Sequence, residues 1–189
     1  MIRQQAFIHF NEQPFVQEYV DMVYDLAPKV DTAQSSEKDP INERHSDVSW
    51  IDPTEKSDKL FQFIYEMVHA ANEQAKWHFE HSVIEPLQFT QYDGAKEQRY
   101  DWHVDSLVAP ELEETIRKIS FTILLNDDFE GGEFEIEAGS PTNDKRIHNL
   151  TLKKGDAILF PSYTWHRVKP VTKGMRHSLV GWVRGQQWR

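Results

Sequence analysis

Residues 99–106 read RYDWHVDS. A histidine and an aspartate stand two positions apart among aromatic residues, either as a site or by coincidence. The chain holds nine histidines and 31 acidic residues, so the spacing alone says little: His45 with Asp47 and His78 with Glu80 repeat it. Local structure separates the three pairs. Side chains two apart diverge on a helix and share a face on a strand. His78 and Glu80 fall on a predicted helix, and His45 and Asp47 in a polar loop with nothing rigid behind them. His103 and Asp105 close a predicted strand, Arg99 to Val104, and are expected to offer one metal ion two donors from a stiff element.

A third donor is needed. It is supplied by His166, within FPSYTWHRVKPVTKGMRHSLVGW, residues 160–182, where it opens a predicted strand after Pro161. Two imidazoles and one carboxylate suit a divalent iron with open positions on one face. Three protein ligands on a six-coordinate ion leave three places, enough for a bidentate keto acid and dioxygen. Ten residues after His166 comes Arg176. Its two-pronged cation matches a carboxylate in a way that lysine does not, which suits a dicarboxylic cosubstrate. The same cation would otherwise read as a surface arginine paired with one of many acids.

Working outward, the first part of the chain reads as helical. Phe15, Val16, Tyr19, Val20, Val23 and Leu26 recur at helical spacing over Gln13 to Leu26. Leu60, Phe61, Ile64, Met67, Val68 and Ala71 do so over a helix from Ser57, its expected N-cap, to about Phe79. Between them, residues 31–50 are polar, a candidate lid or binding segment, ending in a short alternating stretch, Asp47 to Ile51. From Val83 the pattern turns to β. Strands are predicted at Pro86–Tyr92, Arg99–Val104, Ile119–Leu125, Gly132–Glu137, Ile147–Leu152, Asp156–Phe160, His166–Val168 and Ser178–Arg184. Turn signals at Asp93-Gly94, Asn126-Asp127-Asp128, Gly131-Gly132, Lys154-Gly155 and Lys173-Gly174 separate them. The expectation is an α+β chain with a mainly β core: a jelly roll with the helices outside. It is read as one domain over 1–189, helical over about 1–82, with its β core over about 83–185.

Composition bounds the function. The formal charge is −10, which disfavours nucleic acid and acidic membranes as partners. There are no cysteines, which excludes disulfides, zinc–thiolate sites and thiol catalysis. No apolar run reaches the length of a membrane span, and the first residues lack a secretion signal. A soluble, cytoplasmic protein is expected.

Tyr92, Tyr100, His103-x-Asp105, Gly131-Gly132-Glu133-Phe134, Lys154-Gly155-Asp156, His166, Arg176 and Trp182 fall in a recognisable order. Over roughly residues 83–185 the chain resembles the iron(II)- and 2-oxoglutarate-dependent dioxygenases, in particular the prolyl-4-hydroxylase-like branch of bacterial and phage type. RHSDVSW, residues 44–50, also resembles a segment that precedes the core in some relatives. The resemblance implies a double-stranded β-helix with iron at one open end. His103, Asp105 and His166 would be the iron ligands. Arg176 would bind the distal carboxylate of 2-oxoglutarate, supported by Tyr92, with Tyr100 and Trp182 lining the pocket. It also implies dioxygen as co-reactant and ascorbate as reductant. Asp105, in place of a small residue, leaves no vacancy for halide, so hydroxylation is the implied outcome, with succinate and carbon dioxide released.

The implied substrate is a prolyl or related residue of a peptide or protein. A free amino acid or other small metabolite is the alternative, and a non-catalytic metal-binding jelly-roll interaction module the reading from another class. Trp50, Trp102 and Trp165 are candidates to touch substrate, although strand aromatics are more often core. Gly131-Gly132 reads as a tight turn without a phosphate role. His177 neighbours Arg176 but faces the other way.

Overall fold

The computed structural model describes residues 4–27, 44–106, 114–140 and 142–187. In chain order these form β1 (Ile8–Phe10), α1 (Gln17–Leu26), β2 (Arg44–His45), β3 (Asp47–Ile51), α2 (Asp58–Ala75), β4 (Val83–Ile84) and β5 (Leu87–Asp93). A single 3-10 turn at Gly94–Lys96 leads to β6 (Arg99–His103), β7 (Thr115–Leu124), β8 (Phe129–Gly131), β9 (Phe134–Glu137), β10 (Ile147–Leu150), β11 (Ala157–Pro161), β12 (His166–Val168) and β13 (Val171–Gln186). Of the segment 31–50 offered as a lid, residues up to 43 lie outside the described residues. Its end, Asp47–Ile51, is the expected strand.

The strands form two antiparallel sheets. The larger runs β1-β11-β7-β13-β5-β3, with β4 and β8 also paired to β13, and the smaller runs β10-β9-β12-β6-β2. Alternation along the larger sheet sorts its side chains. Leu87 and Phe89 of β5, Ile119 and Ile123 of β7, Leu159 of β11 and Leu179 of β13 join Val20, Val23, Leu60, Ile64 and Val68 of the helices in one core. The alternate residues face the smaller sheet, where Tyr92, Phe134, Ile136, Ile158, Phe160 and Val168 make a second, smaller core. The jelly roll with outside helices is therefore the observed architecture.

Several expectations need correction. The first helix starts four residues late, because Gln13 takes a left-handed φ of 53° and the Phe15 amide is held by the Gly155 carbonyl. Ser57 holds the expected N-cap position of α2, but its side chain makes no capping bond; its hydroxyl donates to the Asp52 carbonyl at 2.8 Å and accepts from the Thr54 amide at 2.8 Å. That helix ends at Ala75 and not near Phe79. Lys76 turns left-handed, and the Asn72 side chain exchanges two 3.0 Å hydrogen bonds with the Phe79 backbone. His78 thus lies beyond the helix, exposed near Glu73. The supposedly helical N-terminal part also supplies β1, β2 and β3. Lys173-Gly174 is no turn: β13 runs through it, with Gly174 at φ 74° and a register shift against β8. A left-handed glycine inside a strand marks a bulge.

Candidate active site

His103 ends β6 and His166 begins β12, and the two are direct partners across the smaller sheet. Their imidazoles lie 4.1 Å apart, centre to centre. The Asp105 carboxylate completes the group, with Oδ1 at 3.7 Å from His103 Nε2 and Oδ2 at 3.5 Å from His166 Nε2. One donor atom from each residue lies within 4.8 Å of the others, and no other such trio of ligand-type side chains occurs among the described residues. The structure brings the expected trio together, but by a different route. Asp105 lies beyond the end of β6, so strand alternation does not aim it. Its amide and that of Ser106 both donate to the Ser162 carbonyl, at 2.9 and 3.0 Å.

The surroundings suit a divalent ion. His103 Nδ1 lies 2.7 Å from the Asp101 carbonyl and His166 Nδ1 2.9 Å from the Thr164 carbonyl. A carbonyl only accepts, so each Nδ1 carries the proton and each Nε2 turns a lone pair toward the centre, as metal-binding imidazoles require. Burial, followed by the nearby His166, depresses the His103 pKa to about 3, which keeps that lone pair free at neutral pH. Burial alone would raise the Asp105 carboxyl. The neighbouring His166 and His103, with Ser120 and Trp182, instead hold it below the usual carboxylate range. The Trp182 indole N–H faces this carboxylate in a geometry short of a full hydrogen bond. Ser120 gives its one hydroxyl proton to Ser162 Oγ at 2.9 Å, and the Ser162 carbonyl holds the Asp105 amide, so the aspartate is tied to the larger sheet through Ser162.

The trio opens into a cavity of about 270 Å³ whose lining includes Trp50, Tyr92, Tyr100 and Trp182. Tyr100 lies flat on His103, centroids 3.5 Å apart. Sequence reasoning missed much of the remaining wall: Arg44, Gln88, Thr90, Arg117, Thr122 and Ser178. A signal existed. Gln88, Thr90 and Tyr92 alternate along PLQFTQY with Leu87 and Phe89, placing a polar stripe on a strand whose other face is core. Of the three tryptophans offered for substrate contact, Trp50 lines the cavity. Trp102 faces outward beneath Arg167, and Trp165 is exposed away from the cavity lining.

Arg176 lies behind this cavity, 1% exposed, among the lining of a second cavity of about 310 Å³. Its Nη1 donates to Ser178 Oγ at 3.2 Å, its guanidinium stands 5.6 Å from the Tyr92 ring centre, and its Nε has no partner. Among the described residues no carboxylate pairs with it. Burial lowers its pKa and raises that of Tyr92, so a buried cation and a buried phenol O–H sit together without an anion. Burying a charge costs several kcal/mol unless a partner arrives. Gly132 allows the placement: at φ 66° a Cβ there would come within 2.8 Å of Arg176 Cδ. His177, one residue on, turns to the helix side, 2.8 Å from Tyr24 Oη.

A model of the 2OG-Fe(II) oxygenase superfamily matches residues 87–184, more than half of the chain. The chain belongs to the 2OG-Fe(II) oxygenase superfamily. The family uses ferrous iron, 2-oxoglutarate and dioxygen, and the His103, Asp105 and His166 donor set fits such an ion. A PKHD-type hydroxylase of Psychrobacter sp. (strain PRwf-1) is 38% identical over 106 residues, covering 53% of this chain and 38% of that protein. Another, from Synechococcus sp. (strain CC9311), is 33% identical over 125 residues, covering 61% and 52%. The chain thus spans about half or less of the length of these relatives. Solved structures of like fold include a Pseudomonas putida prolyl-4-hydroxylase, with TM-score 0.66, 20% identity and coverage of 96% and 94%. The viral collagen prolyl hydroxylase of Paramecium bursaria Chlorella virus-1, in its 2OG complex, gives 0.67, 19%, 96% and 97%. No helix among the described residues is long and apolar enough to cross a membrane.

Proposed function

We propose that this oxygenase hydroxylates a C–H bond, most simply of a prolyl or related residue in a peptide, converting 2-oxoglutarate and dioxygen to succinate and carbon dioxide. The observation that carries the reading is the trio itself: two imidazoles with Nδ1 committed to carbonyls and Nε2 free, facing one carboxylate at the mouth of a cavity. His103, Asp105 and His166 hold ferrous iron, which when bound supplies the activation of dioxygen. Arg176, with the Tyr92 hydroxyl, receives the distal carboxylate of 2-oxoglutarate and so gains the anion its burial lacks. Its reach into the metal cavity runs beside Ser178, which lines that cavity. Tyr100 and Trp182 fix the imidazole and carboxylate planes and exclude water, and Trp50 forms the outer wall. The prolyl preference draws on the prolyl hydroxylases of like fold, one of which was solved with a hypoxia inducible factor oxygen degradation domain peptide.

The test is aerobic incubation with iron(II), 2-oxoglutarate and a prolyl-peptide library. Succinate release and a mass gain of one oxygen on a peptide are expected, and both should vanish in His166→Ala. Bound iron without succinate formation under any condition would favour the metal-binding interaction module instead.

A further inference from the structure

The cavity wall carries a second cation that the proposed reaction leaves unused. Arg44 sits on β2, paired directly opposite Tyr100 of the metal-bearing strand β6. Its guanidinium lies 5.0 Å from the Tyr100 ring centre, and that ring in turn covers His103. Two neutral acceptors fix its plane: Ser46 Oγ takes Nε at 2.7 Å and Gln88 Oε1 takes Nη2 at 2.6 Å. Thr90 donates to the same Gln88 oxygen at 3.3 Å. Ser46, Gln88 and Thr90 are all buried, while Arg44 is half-buried and lines the metal cavity. Nη1 has no protein acceptor and no carboxylate pairs with Arg44 among the described residues. The cation is therefore held in place without being neutralised.

Charge matching around the cavity isolates it further. Arg117, the remaining cation of the wall, is already engaged: Glu85 accepts from its Nε and Nη2 at 2.9 and 2.7 Å while also accepting from Arg184 Nη1 at 3.0 Å, and the flat face of Arg117 lies over Trp182. Under the proposed function, on which this argument rests, the two charges of ferrous iron are met by Asp105 and the proximal carboxylate of 2-oxoglutarate. The distal carboxylate meets Arg176. Among the described residues, nothing then meets Arg44. A half-buried, pre-oriented arginine with a free donor edge selects a carboxylate over a neutral isostere, because only the anion supplies charge-assisted hydrogen bonds. We infer that Arg44 receives a substrate carboxylate, so that the hydroxylated residue carries or directly adjoins an anionic group.

The carboxylate could belong to an acidic side chain or to a chain terminus or free amino acid, and matched probes separate these. The protein is loaded with manganese(II) and saturating 2-oxoglutarate, and proton-resonance broadening by the bound ion is followed for two pairs. These are acetyl-Pro-Glu amide with acetyl-Pro-Gln amide, and L-proline with L-prolinamide. In at least one pair the carboxylate member should broaden at tenfold or more lower concentration than its amide, and the responding pair names the source. Arg44→Gln should erase that preference with 2-oxoglutarate binding retained, and Arg44→Lys should restore part of it. Equal or absent broadening within both pairs, or a loss of 2-oxoglutarate binding in Arg44→Gln matching the loss for the probe, overturns the inference. Failure of manganese and 2-oxoglutarate to bind at all would instead sink the proposed function.

Discussion

The two faces of the larger sheet are built from the same strands and have opposite characters. Toward the helices, β5, β7 and β13 present Leu87, Phe89, Ile119, Ile123 and Leu179, all in the apolar core. Toward the smaller sheet the next residues along are Gln88, Thr90, Ser120, Arg176 and Ser178, each buried and polar. The first set gains stability from burial. The second gives some of it up to hold an aspartate, a buried cation and a polar cavity wall. A period of two residues separates the tasks, so neighbours in sequence should fail in different ways.

The largest effect is expected at Ile119. Ile119→Ala removes a fully buried side chain and should cost about 2–5 kcal/mol of unfolding free energy, read by denaturant titration, with iron affinity of the folded fraction unchanged. Next comes Arg176→Met. Loss of the charge-assisted bonds should weaken 2-oxoglutarate binding by about 10- to 100-fold, while removal of an unpaired buried charge should raise the melting temperature. Calorimetry and thermal unfolding test both halves, and a fall in both would contradict the reading of Arg176 as an unneutralised clamp. Ser120→Ala, one residue from Ile119, should leave unfolding nearly unchanged and weaken iron binding by about 10-fold, the usual scale for a residue that orients a ligand.

The smallest effect is at His177, the outward neighbour of Arg176. Burial lowers its pKa, so the unfolded chain takes up a proton first as pH falls. Its neutral state supports the fold fully above the unfolded value of about 6.5, and that support fades as pH drops below it. His177→Gln should flatten this part of the stability–pH curve.

The same contrast explains what was legible in the sequence. The outer face was legible because Leu60, Ile64 and Val68 repeat at helical spacing and the strands alternate. The clustering of His103, Asp105 and His166 was legible because HxD at the end of a strand, a distant histidine and an arginine ten residues on form a specific combination. What stayed hidden depends on contacts remote in the chain. Asp105 is aimed by Ser162, 57 positions away by number, through backbone bonds that no residue identity announces. The strands β1, β2, β4 and β8 are two or three residues long, too short for a period to register. Gly174 imitates a turn because a strand bulge and a turn require the same left-handed backbone. Arg44 stood in a polar segment where a single arginine carries no signal until its partners are seen to be neutral.

The origin of the three metal donors has a mechanical consequence. Both imidazoles belong to the smaller sheet, whereas the carboxylate hangs from the larger one through Ser120 and Ser162. An ion seated among them acts as a rivet through the sandwich at its open rim. Under the proposed function, loss of the metal would therefore unfasten the doorway as well as silence the catalyst, coupling the protein's grip on its substrate to its iron supply.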